Sequence, residues 1–325
     1  MVTSPLLQPS RTRWKRVSNP SSNMFKVTLL GTASAMPAGD RNQSAQALSV
    51  HGRLFLLDCG EGTQYAMARY RIPMMKLDTV FISHIHGDHV FGIFGLLSTL
   101  GMKGRQMPLN IFAPVNFGPI LKFFLSYYGD GIGYEIRFTP LKMKEPETVL
   151  ETKSIRVEAF PLNHAIETFG FRVMEKEPPF NVRKDAIGEY GLTFTEIGSL
   201  KRGEDVVRED GTVISLADAA YKPFVPRSYA YVSDTAPFPE EALWLKGTTV
   251  IYHEATYLEE YADQGAQRHH TTTLQAAQVA LEAGAQKLLI GHYSSRNSNV
   301  KAYEAECRTI FPETYATSDG ESYEI

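Results

Sequence analysis

The stretch SHIHGDHVFGIFG, Ser83 to Gly95, places three of the nine histidines and one aspartate within six residues, directly after the apolar run Thr79–Ile82. Imidazole and carboxylate groups suit zinc or another borderline divalent metal, whereas an all-oxygen calcium site would not use histidines. The spacing HxHxDH lets ligands two residues apart bind one ion while the Asp-His pair turns toward a second. The alternative is a polar loop whose histidines bond backbone carbonyls, and the crowding argues against it. The candidate ligands here are His84, His86, Asp88 and His89.

Four later β-rich runs also stop at residues that can bind a metal. They are VEAFPLNH, YAYVSD, TVIYHE and KLLIGH, which end at His164, Asp234, His253–Glu254 and His292. Buried strands whose carboxyl ends deliver polar side chains indicate an α/β fold, with a site at one edge of the sheet core and helices outside. A pair of ions needs more ligands than one loop has. We therefore predict that His164, Asp234 and His292 complete a two-metal set, with Asp234 as the bridge.

Local patterns predict several of the surrounding elements. ALSVHGRLFLLD contains His51–Gly52 between two β-rich runs, as a hairpin does. The segment HTTTLQAAQVALEAGAQ predicts a helix that begins at a threonine cap and ends at Gly284. Its apolar face is expected to contain Leu274, Ala277, Val279 and Leu281.

Length and composition predict one large α/β domain, since 325 residues with 43% hydrophobic content can bury a sizeable core. The only cysteines, Cys59 and Cys307, are too few for a disulfide framework and suit a reducing compartment. No apolar run reaches the roughly 18 residues of a membrane span, and no secretory signal precedes the fold, so we expect a cytoplasmic protein. Residues 1–23 read as a disordered tail before a domain spanning 24–325. The net charge of −3 means that any nucleic acid would have to be bound through a local patch and metal ions.

Longer motifs give the chain a resemblance to a known family. It resembles ribonuclease Z, the tRNA 3′-processing endoribonuclease, within the metallo-β-lactamase superfamily. The HxHxDH loop is specific for the superfamily only, while DCGEGTQ and HEAT with a later His-Thr pair narrow it to ribonuclease Z. The matching segments are LLGTASAMP (29–37), Arg41-Asn42, LLDCGEGTQ (56–64), SHIHGDH (83–89), SDT (233–235), HEAT (253–256), HHTT (269–272) and GHYSSR (291–296).

The resemblance implies a metallo-β-lactamase αβ/βα sandwich with two Zn²⁺ ions, or Mn²⁺ or another divalent ion in their place. One ion would take His84, His86 and His164, the other Asp88, His89 and His292, and Asp234 would touch both. His270 would lie near the scissile phosphate and protonate the leaving 3′ oxygen, Glu254 would orient it, and Asp88 would also accept the proton of the attacking water. These three are the candidate catalytic residues. Loop positions Arg41, Asn42 and Arg296 could contact backbone phosphates.

Residues 174–228 are polar and rich in glycine and proline, and VVREDGTVIS within them predicts a hairpin that turns at Asp210-Gly211. In ribonuclease Z this position carries a protruding arm that grips precursor tRNA, often across a homodimer. Lys201 and Arg202 resemble the basic stretch of the arm. A plain solvated insertion is the alternative. The usual Gly-Pro element of the arm is missing, and Ser233 and His269 stand where the family has glycine.

Two other classes of protein remain possible at this point. A hydrolase of small molecules, such as a lactonase or thiolester hydrolase, could use the same sandwich, but it would not need the arm. A non-catalytic metal-binding relative usually loses ligands, whereas all seven candidate ligands are present here.

Overall fold

The computed structural model describes residues 24–36, 39, 41–297 and 299–325. The tail predicted over residues 1–23 lies outside the described residues. The strands are β1 (Phe25–Gly31), β2 (Ala45–Val50), β3 (Arg53–Leu57), β4 (Leu77–Phe81), β5 (Leu109–Pro114), β6 (Ile136–Leu141), β7 (Glu147–Glu151), β8 (Ile155–Leu162), β9 (Thr168–Glu175), β10 (Asn181–Val182), β11 (Val206–Val207), β12 (Val213–Ile214), β13 (Ala220–Tyr221), β14 (Ser228–Val232), β15 (Val250–Glu254), β16 (Lys287–Gly291), β17 (Thr314–Ala316) and β18 (Ser322–Glu324).

The α-helices are α1 (Thr63–Arg69), α2 (Gly87–Val90), α3 (Gly92–Met102), α4 (Phe117–Tyr128), α5 (Lys184–Glu189), α6 (Phe194–Arg202), α7 (Leu216–Ala219), α8 (Glu241–Trp244), α9 (Ala262–Gln267), α10 (Thr273–Glu282) and α11 (Val300–Cys307). Short 3₁₀ turns cover Met74–Lys76, Gly129–Gly131 and Glu259–Tyr261. None of the helices in the described ranges combines the length and the apolar character needed to cross a membrane.

Two large mixed sheets form the centre of the fold. The first has the strand order β18-β1-β2-β3-β4-β5-β6, and the second has the order β17-β16-β15-β14-β9-β8-β7. Their facing sides share one apolar cluster, in which Phe81 of the first sheet lies with its ring centroid 5.1 Å from that of Phe171 of the second. Separate clusters join the first sheet to α1, α3 and α4, and the second sheet to α10 and α11. This layering confirms the predicted αβ/βα sandwich, because each sheet is buried on both faces.

The predicted local elements are present, with one correction. Strands β2 and β3 form the hairpin around His51 and Gly52, and Thr272 caps α10 with a reciprocal bond to Gln275. The predicted apolar face of α10 is partly wrong, because Leu281 is 49% exposed. The helix instead packs small residues on the sheet, which allows a close approach. The buried residues of α10 are Thr273, Ala276, Ala277, Val279 and Ala280.

A segment with its own small core lies between β9 and β14. Ser228 pairs with Met174 in the second sheet, so the segment outside the sheet covers residues 176–227 rather than 174–228. It contains α5 to α7 and two short two-stranded sheets, and Val206 pairs with Ile214 across the predicted Asp210-Gly211 turn. Its cluster of buried residues is Ala186, Leu192, Leu200, Val206, Ile214, Ala219 and Ala220.

Candidate active site

The candidate ligands lie where strands of both sheets end. Strand β4 is followed by the HxHxDH stretch, whose Asp88 and His89 fall in the short helix α2. In the second sheet, β8, β14 and β16 are followed by His164, Asp234 and His292. Because β14, β15 and β16 run parallel, their carboxyl ends reach the same edge.

The first ligand group consists of His84, His86, His164 and Asp234, whose ligand atoms all lie within 4.8 Å of one another. His86 Nδ1 lies 3.0 Å from His84 Nε2 and 3.3 Å from His164 Nε2. Oxygen Oδ2 of Asp234 lies 3.7 Å from His84 Nε2 and 4.0 Å from His164 Nε2. Three imidazoles and one carboxylate thus face a common point.

The second ligand group consists of Asp88, His89 and His292. The Nε2 atoms of the two histidines are 3.2 Å apart, and Asp88 Oδ2 lies 3.5 Å from each. The other carboxylate oxygen of Asp234, Oδ1, lies 3.4 Å from His89 Nε2 and 3.3 Å from His292 Nε2. Asp234 therefore presents one oxygen to each group.

The chemistry of these groups fits bound cations. Oδ1 of Asp234 is buried and has no hydrogen bond of suitable geometry among the described residues. A buried, unpaired carboxylate oxygen is costly unless a cation satisfies it. Burial opposes a charge on His89, but Asp234, Asp88 and Asp58 outweigh it and raise the pKa of His89 well above its usual value. A metal ion would supply the positive charge that these carboxylates favour.

The remaining imidazoles of the first group favour the neutral, ligating form. Burial lowers the pKa of His84 well below its usual value, and repulsion from His89 acts in the same direction. Burial is also the largest cause of the lowered pKa of His86 and of His164. Neutral imidazole is the form that binds metals.

Four ligand histidines use their second ring nitrogen for a hydrogen bond that fixes the ring. His84 Nδ1 lies 2.9 Å from Ser83 Oγ, and His164 Nδ1 lies 2.9 Å from the carbonyl oxygen of His269. His89 Nδ1 lies 2.7 Å from Asp58 Oδ2, and His292 Nδ1 lies 2.8 Å from Thr256 Oγ1. Such outer partners orient metal ligands and set their tautomers. They are Ser83, Asp58, Thr256 and the backbone of His269.

Asp58 is the most connected of these partners. It is fully buried directly after β3 and has a left-handed backbone with φ of 56°. Its carboxylate also accepts hydrogen bonds from Ser83 and from the hydroxyl of Tyr231 at 2.6 Å. The left-handed conformation is unfavourable for a residue with a Cβ, and these bonds offset that cost.

Glycines on both sides of the contact allow the Asp58 loop to pack against the HxHxDH segment, since a Cβ on Gly60 would lie 2.4 Å from the carbonyl oxygen of Asp88. A Cβ on Gly92 would lie 2.0 Å from the carbonyl oxygen of Gly60, and Gly92 N donates to Cys59 O at 2.9 Å. Cys59 N in turn donates to His89 O at 2.8 Å. The DCG motif therefore contacts the HxHxDH segment through its backbone, at distances that a residue larger than glycine would prevent.

His270 and Glu254 form an ion pair beside the two ligand groups. Nδ1 of His270 lies 2.9 Å from Glu254 Oε1, and the His270 ring stacks on His292 with centroids 5.5 Å apart. Burial opposes the charged imidazolium, but Glu254 and Asp234 outweigh it and raise the pKa of His270 to about 9. His270 is therefore held as a proton donor at neutral pH in this arrangement.

The motifs that surround this site can be compared with those of known proteins. A protein from Cytophaga hutchinsonii named ribonuclease Z is 40% identical over 302 residues, which cover 93% of this chain and 96% of the relative. The chain belongs to the ribonuclease Z family. A family model described as anti-Pycsar protein Apyc1 also matches residues 25–174.

Solved structures agree with this family in fold. Human tRNase Z, short form, has a TM-score of 0.67 at 22% identity, and the match covers 91% of this chain and 98% of that one. The metallo-β-lactamase fold protein YhfI from Bacillus subtilis has a TM-score of 0.65 at 20% identity, covering 93% of this chain and 100% of that one. This member of the ribonuclease Z family thus has the metallo-β-lactamase fold.

An open cleft of about 640 Å³ exposes both ligand groups to solvent. Of the predicted substrate-binding residues, Arg296 lines this cleft, where its Nη1 donates to Gln264 Oε1 at 2.6 Å. Arg268 lines the cleft as well, four residues after Gln264 along the chain. Two arginines therefore line the cleft, and Gln264 contacts both of them, since its carbonyl oxygen accepts from the backbone N–H of Arg268 at 3.2 Å.

The other predicted substrate-binding residues lie elsewhere. Asn42 donates from its side chain to the carbonyl oxygen of Leu30, and the guanidinium of Arg41 lies 5.5 Å from the ring centroid of Tyr293. Neither is among the residues that line the cleft in the described structure. Lys201 and Arg202 are exposed at the end of α6, where Arg202 pairs with Glu204 at 2.8 Å.

Sequence reasoning missed three residues of the site. Asp58 directly follows a β-rich run, which is the same pattern that identified the candidate ligands. Thr256 belongs to the HEAT motif, but nothing in its spacing shows that it contacts His292. Arg268 lies outside the family motifs, and its position in the cleft identifies it.

Proposed function

We propose that this protein is an endoribonuclease that removes the 3′ trailer from precursor tRNA by hydrolysis. The products would be a tRNA with a 3′-hydroxyl and a trailer with a 5′-phosphate. The observation that carries the proposal is the pair of ligand groups with Asp234 between them, and the hydrogen-bonded His270–Glu254 pair at their side. The chain's relative named ribonuclease Z and the fold that the chain shares with human tRNase Z support the proposal.

The two ligand groups would each hold one divalent ion, most simply Zn²⁺, with Mn²⁺ as another candidate. His84, His86 and His164 would bind one, Asp88, His89 and His292 the other, and Asp234 both. When bound, two such ions lower the pKa of a shared water and neutralise charge on a phosphoryl group. Mixed imidazole and carboxylate ligands favour zinc. Burial lowers the pKa of His84 and of His164, and the neutral imidazole that results is suited to bind the ion.

The chain supplies the proton transfers. Asp88 would accept the proton of the water that attacks phosphorus, since its carboxylate borders the cleft. His270 would donate its proton to the 3′ oxygen as the phosphorus–oxygen bond to that atom breaks. Glu254 keeps Nδ1 of His270 occupied at 2.9 Å, which leaves Nε2 for the substrate.

Substrate binding beyond the scissile phosphate would use positive side chains. Arg296 and Arg268 on the cleft wall are placed to contact phosphates next to the cleavage point. The segment 176–227 would serve as the arm, with Lys201 and Arg202 exposed on α6. Phosphate contacts of this kind add affinity without reading sequence. Arg41 and Asn42 would affect substrate binding indirectly, by supporting the loop to which they belong.

We also propose a cytoplasmic homodimer. Helix α4 exposes an apolar face in which Phe123 is 66% and Tyr127 is 71% exposed, with Ile120 one turn earlier. Exposed apolar patches of this kind often mark interfaces. Light scattering of the wild type and of Phe123→Glu tests this: a dimer that becomes a monomer supports it, and a wild-type monomer contradicts it.

Cleavage of a precursor tRNA with end-group analysis tests the function itself. We expect the zinc-loaded protein to produce a tRNA with a 3′-hydroxyl and a trailer with a 5′-phosphate. The Asp88→Ala variant should produce neither and should also retain less metal. Activity on lactone, thiolester or β-lactam substrates alone would overturn the proposal. Purified protein with less than about one bound ion per chain would favour a non-catalytic relative.

A further inference from the structure

Thr256 links the second ligand group to the His270–Glu254 pair. Its hydroxyl oxygen lies 2.6 Å from Glu254 Oε2 and 2.8 Å from Nδ1 of His292. Thr256 is 2% exposed and Glu254 is 0% exposed, so water does not compete for these bonds. The result is a continuous chain of hydrogen bonds from His270 through Glu254 and Thr256 to His292.

The direction of each bond in this chain follows from counting hydrogens. Glu254 Oε1 accepts from the backbone N–H groups of Thr235 and Thr271, and Oε2 accepts from the backbone N–H of Thr256. Both oxygens are therefore acceptors, as in an ionised carboxylate. The single hydrogen of the Thr256 hydroxyl must then point to Glu254.

The hydroxyl oxygen is left with lone pairs toward His292. Nδ1 of His292 must therefore carry the hydrogen of that bond. In a neutral imidazole only one nitrogen is protonated, so Nε2 of His292 keeps its lone pair. Nε2 is the atom that faces Asp88 at 3.5 Å and Asp234 at 3.3 Å.

We propose that Thr256 is a positioning residue that fixes His292 in the tautomer able to bind a metal, and that it shares Glu254 with His270. This inference rests on the metal-binding role proposed above for His292. One buried carboxylate would thus orient two groups at once, His270 directly and His292 through the threonine hydroxyl. Valine has nearly the shape of threonine but would leave Nδ1 of His292 without its acceptor.

Metal retention by the zinc-loaded, full-length protein tests the inference. We expect Thr256→Val to lose zinc from one of its two sites at about 10- to 100-fold lower chelator concentration than the wild type, the range found for outer partners of ligands. Thr256→Ser keeps the hydroxyl and should behave like the wild type. Thr314→Val is the matched control, because the buried Thr314 hydroxyl donates to the backbone carbonyl of Phe311.

Several outcomes would overturn the inference. Thr256→Val that retains zinc like the wild type would do so, as would Thr256→Ser that loses zinc like the valine variant. If Thr256→Val does not fold, Thr256→Ala provides the same comparison. A wild type that holds zinc but does not cleave precursor tRNA would contradict the proposed reaction and leave this inference standing.

Discussion

The carboxylate of Asp58 lies 2.7 Å from Nδ1 of His89, and both side chains are buried. This contact joins the loop after β3 to the HxHxDH segment after β4. It also explains why the DCG motif accompanies HxHxDH in this chain, since the aspartate orients a ligand while the glycine permits the close approach.

Replacing Asp58 by asparagine should weaken metal binding. The amide has nearly the same size but no negative charge, so it orients the imidazole of His89 less strongly. We expect zinc affinity to fall about 10- to 100-fold, measured by competition with a chelator. Asp78→Asn is a suitable control, because Asp78 pairs with Arg53 at the surface. Equal affinities in Asp58→Asn and wild type would exclude this role.

Replacing His270 by alanine should reduce cleavage with metals intact. Loss of a general acid typically costs about 10²- to 10⁴-fold in rate. Single-turnover cleavage of precursor tRNA and zinc analysis of the same sample measure both quantities. His269→Asn is the neighbouring control, since the backbone of His269, with φ of 55°, contacts His164 and asparagine tolerates that conformation. A His270→Ala variant that cleaves at the wild-type rate would show that His270 has no part in the reaction.

Deleting residues 177–225 of the segment 176–227, a change that keeps the Glu175–Arg227 ion pair, should separate RNA binding from hydrolysis. Glu175 N donates to Arg227 O at 2.9 Å, so a short glycine-serine turn can join the two strands at the excision point. We expect the shortened protein to hydrolyse bis(p-nitrophenyl) phosphate at the wild-type rate and to cleave precursor tRNA poorly. The separate apolar cluster of this segment makes its removal compatible with folding of the rest. Unchanged tRNA affinity would show that the segment is not an arm.

Stability should depend on the protonation of His253. Its Nε2 lies 2.8 Å from Glu241 Oε1 and its Nδ1 lies 2.6 Å from the carbonyl oxygen of Glu254, so both ring nitrogens face acceptors. Burial lowers the pKa of this group, but Glu241 outweighs it and raises the pKa above 6.5. A raised pKa in the folded state contributes stability that is fully present below pH 6.5 and is lost as the pH rises through the folded value.

Denaturant unfolding of the wild type and of His253→Gln tests this dependence. The measurements should run from about pH 6, just below the ordinary pKa of histidine, to about pH 9. The difference in unfolding free energy should fall with rising pH, by at most about 1.4 kcal/mol per unit for one proton. Other titrating groups are common to both proteins and cancel in the difference. A difference that does not vary with pH would contradict the charged form of His253.

Much of the fold could be predicted because its signals are local. The β-rich runs, the hairpin at His51 and Gly52 and the threonine cap of α10 each depend on a few adjacent residues. The exposure of Leu281 could not be predicted, because the helix chooses its buried face by contact with a sheet that lies elsewhere in the sequence. Hydrophobic periodicity marks the apolar positions of a helix, but it does not show whether the alanines or the leucines face the sheet.

The sequence by itself determined that metal-binding side chains follow several strands, and its motifs placed the chain in a family. The resemblance implied how these side chains would be grouped, but only the tertiary structure decided that they meet. His89 and His292 are 203 residues apart in the chain, yet their Nε2 atoms approach to 3.2 Å. That approach, the two-sided position of Asp234 and the contact between Thr256 and His292 depend on how two sheets pack, and packing sums many weak contacts that no single segment encodes.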